Sequence, residues 1–279
     1  MKKKTKIQNT IIYIFLVLLS IIWLIPIAYI LFISFHNDNS KGAMVTMPDY
    51  LTFQHYINLF AKGSQYPQWF LNTLIVALVT MVINTFFVMA VAYTMSRLRF
   101  KSRKTLMSIN LILGMFPGFM SMIAIYNILK LVKLDQTLVG LTLCYTMTSG
   151  MGFYVAKGFF DTISRSLDEA ARIDGATNAQ IFYKIILPLS KPIIVYTLVQ
   201  SFMGPWMDYI FCNVILRNKS DQWTVAMGMY KWLNTQEKVN TQFVDFFAGS
   251  VLISIPIMSV FLATQKYYIA GVTGGAVKG

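Results

Sequence analysis

Long apolar runs, separated by shorter polar segments, dominate the sequence. Each run is close to or longer than the roughly 20 residues that a helix needs to cross a lipid bilayer. The runs predict six transmembrane helices, at about 11–35, 69–95, 105–129, 137–156, 192–215 and 246–264. Near the middle of the third run, Gly114, Pro117 and Gly118 predict a kink or a break. Residues 265–279 are expected to form a short, glycine-rich tail.

The expected fold is therefore an all-α integral membrane protein, with residues 1–279 in a single transmembrane domain. Composition agrees, because 56% hydrophobic and only 13% charged residues exclude an ordinary soluble domain. A cleaved signal peptide would also begin with a basic head. We expect an uncleaved first span instead, since the run at 11–35 exceeds the roughly 7 to 15 apolar residues of a signal peptide and no small-residue cleavage site follows it.

The positive charges predict the orientation. They number four in the head before the first run, five in 97–104, five in 157–191 and two in 265–279, which is 16 of the 24 Lys and Arg residues. Six spans place all these segments on one side, and cytoplasmic loops carry the excess of Lys and Arg. Both termini are therefore expected in the cytoplasm, in a multi-pass protein of the plasma membrane. The net charge of +13 indicates membrane orientation rather than nucleic-acid binding.

A charged island at 157–191 interrupts the apolar pattern between the fourth and fifth runs. Helical spacing predicts that its first helix has an apolar stripe and an opposite charged face. The apolar stripe consists of Ile163, Leu167, Ala170 and Ala171. The charged face consists of Arg165, Asp168, Glu169 and Arg172. Such a surface is typical of a helix that docks on a partner.

Two short helices joined by a tight turn are expected within this island. Ser-x-x-Glu at 166–169 and Thr-x-x-Gln at 177–180 each predict a capping box at a helix start. Gly175 can take the left-handed conformation that ends the first helix. Pro188 prevents regular helical hydrogen bonding from continuing into the next span. Alternatives are a DNA-binding helix-turn-helix or an amphipathic helix lying on lipid, neither of which needs apolar spans on both sides.

The spacing of the island resembles the EAA motif, found in the cytoplasmic loop of permease subunits of ATP-binding-cassette importers. The matching residues are Glu169-Ala170-Ala171, Gly175 after three residues, Ile185 after nine more, and Leu187-Pro188 after one. The resemblance extends along the chain to sugar-importer permeases of the maltose type. It runs through Phe116-Pro117, Phe202-Met-Gly-Pro-Trp-Met-Asp208 and Gly271-Val-Thr-Gly-Gly-Ala-Val-Lys-Gly279. We refer to residues 157–191 as the EAA loop.

This resemblance implies that the first helix of the EAA loop sits in a cleft of an ATPase subunit and transmits closure of that cleft to the spans. The implied docking residues are Glu169, Ala170, Ala171, Asp174 and Gly175. Taken alone, the charges on this helix equally fit a solvated face. The implied partners are a second permease subunit, two ATPase subunits, an extracytoplasmic sugar-binding protein and membrane lipid, with no nucleic acid.

Catalytic motifs are missing from the sequence. It contains no Gly-x-x-x-x-Gly-Lys-[Ser/Thr] phosphate loop and no evident nucleophile and base set. His36 and His55 lie in or beside one predicted outside loop, and Cys144 and Cys212 lie within apolar runs, without the spacing of a metal site. We expect a non-catalytic permease subunit that binds no metal or cofactor itself, with ATP and Mg²⁺ on the partner ATPase.

Asp208 is the only acidic residue within a predicted span. A charge inside the membrane is costly and commonly faces a pathway or a partner. Gly204 and Pro205 predict a helix break just before it, and the ring of Trp206 suits stacking on a sugar. Trp206 and Asp208 are therefore candidate residues of a substrate pathway. The alternative is that Asp208 caps a helix after the break.

The predicted function is that of the transmembrane subunit of an ATP-driven carbohydrate importer. It would form half of the translocation pathway for maltose or maltodextrin-like oligosaccharides. An importer of the same class for another solute is an alternative, because the EAA motif is shared beyond sugars. A carrier driven by an ion gradient is disfavoured, since it would need several carboxylates or histidines inside the spans.

Overall fold

The computed structural model describes residues 2–44, 46–115, 118–147, 152–235 and 241–276, and every regular element within these ranges is helical. The α-helices are α1 (Lys2–Ile33), α2 (Gln54–Leu59), α3 (Tyr66–Arg97), α4 (Arg103–Gly114), α5 (Gly118–Leu131), α6 (Leu138–Met147), α7 (Gly152–Asp161), α8 (Ser166–Ile173), α9 (Asn178–Ile181), α10 (Leu187–Leu189), α11 (Lys191–Met207), α12 (Ile210–Leu216), α13 (Val225–Asn234) and α14 (Phe243–Ala276). Two 3₁₀ turns (Lys41–Met44 and Ser220–Gln222) and a π-helical turn (Phe182–Ile186) complete them. The all-α prediction is confirmed.

Four stretches in the described part of the chain are long and apolar enough to cross a membrane. They are Gln8–Ile33, Tyr66–Arg97, Leu138–Asp161 and Phe243–Tyr267. A fifth, Asn178–Leu189 with Lys191–Met207, qualifies only as a pair bent by 84°. The predicted third span is divided between α4 and α5, where Gly114 and Gly118 form the adjoining ends, while Phe116 and Pro117 lie outside the described residues. A count of six spans stays a prediction.

The last helix differs from the prediction at both ends. It begins at Phe243 rather than near 246, so Asp245 lies in its first turn and inside the apolar stretch that ends at Tyr267. Asp208 lies just beyond the stretch that ends at Met207, whereas Asp161 and Asp245 lie within such stretches, so the prediction that Asp208 is the only acidic residue within a span is wrong. The helix also continues to Ala276. Glycines in this stretch cost a helix about 1 kcal/mol each relative to alanine, so the glycine-rich composition of the tail did not indicate a helix.

The chain divides into two compact units. The first contains the residues up to Pro67 together with Met229–Ile255. Its small core includes Ile33, Ala43 and Val244. Most side chains of α1 from Ile11 onward are exposed and apolar, a surface that a lipid bilayer covers without cost. The second unit contains Gln68–Gly228 together with the residues from Pro256 onward.

Buried polar contacts tie the predicted outside loop of the first unit to α14. Nδ1 of His55 lies 2.8 Å from Oδ1 of Asp245, and Nε2 lies 2.7 Å from the carbonyl oxygen of His36. A carbonyl oxygen can only accept, so Nε2 donates to it. Oδ1 of Asn39 accepts from the backbone N–H groups of Val244 and Asp245 at 2.7 and 3.1 Å. These bonds satisfy N–H groups that the first turn of a helix leaves without a partner.

In the second unit, the start of α3 is fixed to the polar segment before α13. By sequence, Trp69 at the entry of a span is expected at the membrane interface. In the structure its side chain is buried in the protein, donates its indole N–H to the carbonyl of Ser220 at 3.0 Å and packs directly on Gly228. Asn72 donates to the carbonyl groups of Asp221 and Trp223, both at 2.9 Å. Asn72 therefore joins the loop to the helix.

An apolar core of the second unit surrounds the end of α3 and packs against the EAA loop. Ala92 and Tyr93 from α3 pack there with Phe160 from α7 and with Ile181 and Ile186 from the EAA loop. All five side chains are buried. The EAA loop is thus packed on the rest of the unit through Phe160 near its start and through its second half, and α8 between them is positioned by the contacts described next.

Candidate functional site

The turn of the EAA loop is a complete helix-ending motif. Gly175 has φ +80°, in the left-handed region, which confirms the sequence prediction. The N–H of Ala176 donates to the carbonyl of Ala171 at 2.9 Å, and the N–H of Gly175 donates to that of Arg172 at 3.1 Å. This pair of bonds defines a Schellman motif. It reverses the chain within Asp174–Ala176 and sets the direction of α8.

Of the two predicted capping boxes, one is present and one is wrong. Oγ1 of Thr177 accepts from the N–H of Gln180, whose side chain accepts from the N–H of Thr177, so the second box is confirmed. At α8, the backbone carbonyl of Arg165 already accepts the first helical bonds. Ser166 is therefore the first residue inside the helix, and its hydroxyl bonds to that of Ser164 instead. The N-cap position is Arg165, and no side-chain cap hydrogen bond is present there, so the Ser-x-x-Glu pattern does not form a capping box.

The two faces of α8 differ from the prediction. Asp168, assigned to the charged outer face, is only 3% exposed, and Ala171 packs against the buried core. Leu167 and Ile173 are instead 43% and 87% exposed. The remaining predicted docking residues, Glu169, Ala170, Asp174 and Gly175, are also exposed. The free surface of α8 is thus a mixed face with two uncovered aliphatic side chains beside a carboxylate.

Arg97, the last residue of α3, holds α8 in place. Its guanidinium donates through one Nη to the carbonyls of Phe160 and Ile163 at 2.8 and 2.9 Å. Its Nε lies 3.5 Å from Oδ2 of Asp168. The side chains of Arg97 and Asp168 are 1% and 5% exposed. The planar guanidinium therefore joins a long apolar helix, the end of α7 and the first turn of α8 in one buried contact.

Other polar contacts between the end of α3 and the EAA loop surround this ion pair. The hydroxyl of Tyr93 donates to the carbonyl of Asn178 at 3.0 Å. Ser96 donates to Oδ1 of Asp161 at 2.6 Å. These contacts lie along one turn of α3 and join it to α9 and α7, beside the ion pair that joins it to α8.

A cleft of about 650 Å³ opens beside α8 and α3. Arginine side chains of both helices, of the segment after α3 and of the segment between α7 and α8 line it, together with the carboxylates of Asp168 and Glu169. These arginines are Arg97, Arg99, Arg165 and Arg172. The positive charge beside α8 favours contact with an acidic surface, whereas Glu169 itself favours a basic group.

The path from the EAA loop into α11 bends sharply. The axes before and after Ser190 differ by 84°. Pro188 has no N–H to donate to the preceding turn, and Pro192 stands in the first turn of α11, where its missing N–H costs nothing. The predicted interruption before the next span is present, but it falls at Ser190, two residues after Pro188, and it places residues 178–189 nearly perpendicular to α11.

Asp208 lies at the break between α11 and α12. Its Oδ1 accepts from the N–H of Phe211 at 2.9 Å, and its Oδ2 accepts from the hydroxyl of Tyr145 at 3.0 Å. Trp206 is 3% exposed, with its ring against Phe70 at a centroid distance of 5.2 Å. In this conformation Asp208 serves the start of α12, and the indole ring offers no free face for stacking.

This geometry defines the class of the molecule: a multi-pass, all-helical membrane protein whose exposed helix-turn-helix is anchored to the end of a span. The chain belongs to the family of binding-protein-dependent transport system inner membrane components, whose model matches residues 88–273. That match covers the last third of α3, the whole EAA loop and most of α14.

Curated relatives match the chain over nearly its full length. The galactooligosaccharides transport system permease protein GanQ of Bacillus subtilis (strain 168) is 34% identical over 100% of this chain and 99% of its own. The maltodextrin transport system permease protein MalD of Streptococcus pneumoniae (strain ATCC BAA-255 / R6) is 33% identical, with 100% and 98% covered. MalG of Yersinia pestis, a maltose/maltodextrin permease protein, is 32% identical over 91% and 88%. The chain is accordingly a permease subunit and not an enzyme.

Solved structures show the same fold. A bacterial ABC transporter involved in the import of the acidic polysaccharide alginate has a chain that superposes with a TM-score of 0.77 at 22% identity, over 94% of this chain and 97% of that one. A structure of bacterial alginate ABC transporter in complex with an alginate pentasaccharide-bound periplasmic protein gives 0.68 at 15% identity, over 93% and 94%.

Sequence reasoning missed two residues of this site. Arg97 was counted only as one of five positive charges in 97–104, and Tyr145 was not singled out within its apolar run. A signal for Arg97 exists in its position as the last residue of a long apolar helix, where a cation also suits the negative end of the helix dipole. For Tyr145 the sequence offers no comparable signal, because its partner Asp208 is 63 residues away.

Proposed function

We propose that the chain is the transmembrane subunit of an ATP-driven carbohydrate importer and forms half of the translocation pathway for maltose or maltodextrin-like oligosaccharides. The observation that carries this proposal is the identity of 32% to 34% to permeases named for oligosaccharides, over at least 91% of the chain. The family name supports delivery of the substrate by a separate binding protein.

Coupling to ATP hydrolysis is proposed to occur through α8 of the EAA loop. Leu167 and Ile173 present apolar surface that nothing in the described part of the chain covers, and burying such surface favours association by about 25 cal/mol per Å². Glu169, Ala170, Ala171, Asp174 and Gly175 flank these side chains. The expected partners are two ATPase subunits, which would hold ATP and Mg²⁺, and a second permease subunit that completes the pathway.

The orientation follows from the same proposal. With the EAA loop on the ATPase side, both termini lie in the cytoplasm, as the distribution of 16 of 24 positive residues favours. The sugar-binding protein then acts from the opposite face. The two soluble partners are thus expected to work only from opposite sides of the membrane.

Reconstitution tests function and orientation together. The chain, co-expressed with its second permease and ATPase subunits, is placed in liposomes, and uptake of a neutral glucose oligosaccharide is measured. We expect uptake only when the loaded binding protein and ATP are on opposite faces, with ATP on the face where the EAA loop is accessible. Uptake without ATP that collapses when an ion gradient is removed would establish a secondary carrier. ATP-driven uptake of other solutes alone would move the chain to another substrate class.

Trp206 and Asp208 are proposed to act on the pathway through the break that they hold. Asp208→Asn keeps an acceptor for Phe211 and a partner for Tyr145, so we expect uptake to fall modestly. Asp208→Leu removes both acceptors and leaves a buried N–H unpaired, at a cost of about 1 to 3 kcal/mol, so uptake should fall much further. Uptake is normalised to assembled complex. If Asp208→Leu lowers only the amount of assembled complex, and the complexes that do assemble transport normally, Asp208 is a structural cap alone.

A further inference from the structure

One buried polar contact in the first unit joins the predicted outside loop to the last helix. His55 on α2 and Asp245 in the first turn of α14 are only 3% and 6% exposed. Nδ1 of His55 lies 2.8 Å from Oδ1 of Asp245, and Nε2 lies 2.7 Å from the carbonyl oxygen of His36. Nδ2 of Asn58 donates to the same oxygen of Asp245 at 3.3 Å. Both ring nitrogens of His55 therefore face an oxygen atom at hydrogen-bond distance.

These distances require one proton more than a neutral histidine carries. Nε2 must donate, because a carbonyl oxygen only accepts. In a neutral ring Nδ1 is then an acceptor, and it would face a carboxylate oxygen that also only accepts. A hydrogen bond between these two atoms needs a proton between them. Imidazole is a stronger base than a carboxylate, and the first turn of a helix favours a negative group. The proton therefore lies on Nδ1 of His55, and the pair consists of an imidazolium and a carboxylate.

The other histidine of the chain, His36, is neutral. Its Nδ1 accepts from the backbone N–H of Asp38 at 3.0 Å and so carries no proton, while its Nε2 donates to the carbonyl of Thr46 at 3.3 Å. The carboxylate of Asp38 accepts from the hydroxyl and the backbone N–H of Ser40, at 2.6 and 2.9 Å, which lowers the pKa of Asp38. Asp38 therefore stays ionised and adds a second negative charge that acts on His55.

We infer that His55 and Asp245 form a proton-binding site that holds the predicted outside loop on α14. The contact exists while the pair holds the proton and is lost as the pH rises, because Nδ1 and the carboxylate then face each other as two acceptors. Asn39 still joins the loop to the N–H groups of Val244 and Asp245, so the loss releases α2 and not the whole loop. Since α14 is long and apolar enough to cross the membrane, we expect uptake to fall as the pH rises on the side where the loop lies.

Asp245→Asn is expected to keep the contact without the added proton. Its amide group can donate to an unprotonated Nδ1, while Nε2 still donates to the carbonyl of His36. The variant removes the negative charge that favours the imidazolium, so His55 should bind the proton about ten- to a thousandfold more weakly. Asp49→Asn is the matched control, because Asp49 is an exposed carboxylate of the same loop and bonds to Asn37.

Nitrogen NMR of the histidine rings tests the site without relying on transport. The full chain, containing isotope-labelled histidine, is placed in lipid nanodiscs, and the His36→Gln variant assigns the signals of the two rings. We expect His55 to be doubly protonated at low pH and to lose one proton as the pH rises from about 5 to about 9. In Asp245→Asn this change should occur at lower pH, whereas Asp49→Asn should follow the wild-type chain.

Three NMR results would contradict the inference. The same titration in Asp245→Asn and in the wild-type chain, or a His55 ring that is neutral throughout, would show that the pair does not bind a proton. A His55 ring that stays doubly protonated throughout would rule out release of the proton, and with it the effect on uptake.

Uptake measurements show whether the proton matters to transport. The side from which the proton reaches the pair rests on the proposed orientation, so in the reconstituted complex the pH is varied only on the face that carries the binding protein. The same binding protein serves every variant, so the ratio of variant to wild-type uptake isolates the site. This ratio should rise with pH for Asp245→Asn and for His55→Gln, which has no ring to titrate. It should stay constant for Asp49→Asn.

The outcomes separate this inference from the proposed function. A constant ratio for both Asp245→Asn and His55→Gln overturns the role of the proton in uptake. A ratio that changes only with the pH on the ATP face overturns the proposed orientation, while the proton site stands. If the wild-type complex imports no neutral oligosaccharide at any pH, the proposed function fails, and the titration of His55 still decides whether the proton site exists.

Discussion

Arg97→Gln is expected to abolish coupled transport. Glutamine can still donate to one of the carbonyls of Phe160 and Ile163, but it leaves the carboxylate of Asp168 buried without a charged partner. Removing one partner of a buried ion pair costs about 3 to 5 kcal/mol. This cost is a large share of the stability of a domain, and it falls on the contact that joins α3 to α8. ATP-dependent uptake, normalised to assembled complex, is the measurement.

A rescuing double variant and a control variant distinguish loss of the ion pair from general damage to the fold. Asp168→Asn added to Arg97→Gln removes the unpaired charge, so the double variant should recover part of the uptake lost by Arg97→Gln. Lys101→Gln removes a positive charge four residues away, at an exposed position that does not line the cleft beside α8, and we expect near-normal uptake. Full activity of Arg97→Gln with ATPase bound at native levels would show that this contact neither stabilises nor positions α8.

Features of the EAA loop that depend on a few consecutive residues could be predicted from sequence. The positive φ of Gly175, the capping box at 177–180 and the interruption after Pro188 each follow from local backbone chemistry. The faces of α8 could not, because helical periodicity states which residues share a side but not which side faces the core. A charge turns inward only when a partner elsewhere compensates it, and for Asp168 that partner is 71 positions earlier in the chain, at Arg97.

The same distinction applies to the fold. Apolar runs predicted where long helices occur, and glycine and proline predicted the divisions at 114–118 and after Met207. Tertiary contacts decided the rest. Trp69 stands at the entry of a predicted span, a position typical of an interfacial anchor. Its side chain is nevertheless buried in the protein, because Gly228 has no side chain and allows the indole ring to approach the backbone. The contacts of His55 with Asp245 likewise join positions 190 residues apart, a separation that sequence patterns do not report.

Gly175→Val is expected to uncouple ATP hydrolysis from transport while leaving the protein in the membrane. A β-branched residue at φ +80° strains the backbone by about 1 to 3 kcal/mol. A Cβ at this position meets nothing within 4 Å, so the penalty is conformational and not a clash. Relief of the strain reopens the Schellman turn and reorients α8. A bias of about 1 to 3 kcal/mol corresponds to a 5- to 150-fold change in the population of the docking-competent arrangement.

Gly63→Val is the matched control for this prediction. Gly63 has φ +94° and equally open surroundings, but it lies in the first unit, far along the chain from the EAA loop. Both variants introduce the same kind of strain, so both should lower the thermal stability of the complex, and only Gly175→Val should lower uptake and sugar-stimulated ATP hydrolysis at 25 °C. Glu169→Lys, which reverses the exposed charge of α8 without strain, should lower ATPase co-purification instead. Normal transport by both Gly175→Val and Glu169→Lys, with native amounts of ATPase bound, would rule out the EAA loop as the coupling element, because neither the direction of α8 nor its charge would then matter to the partner.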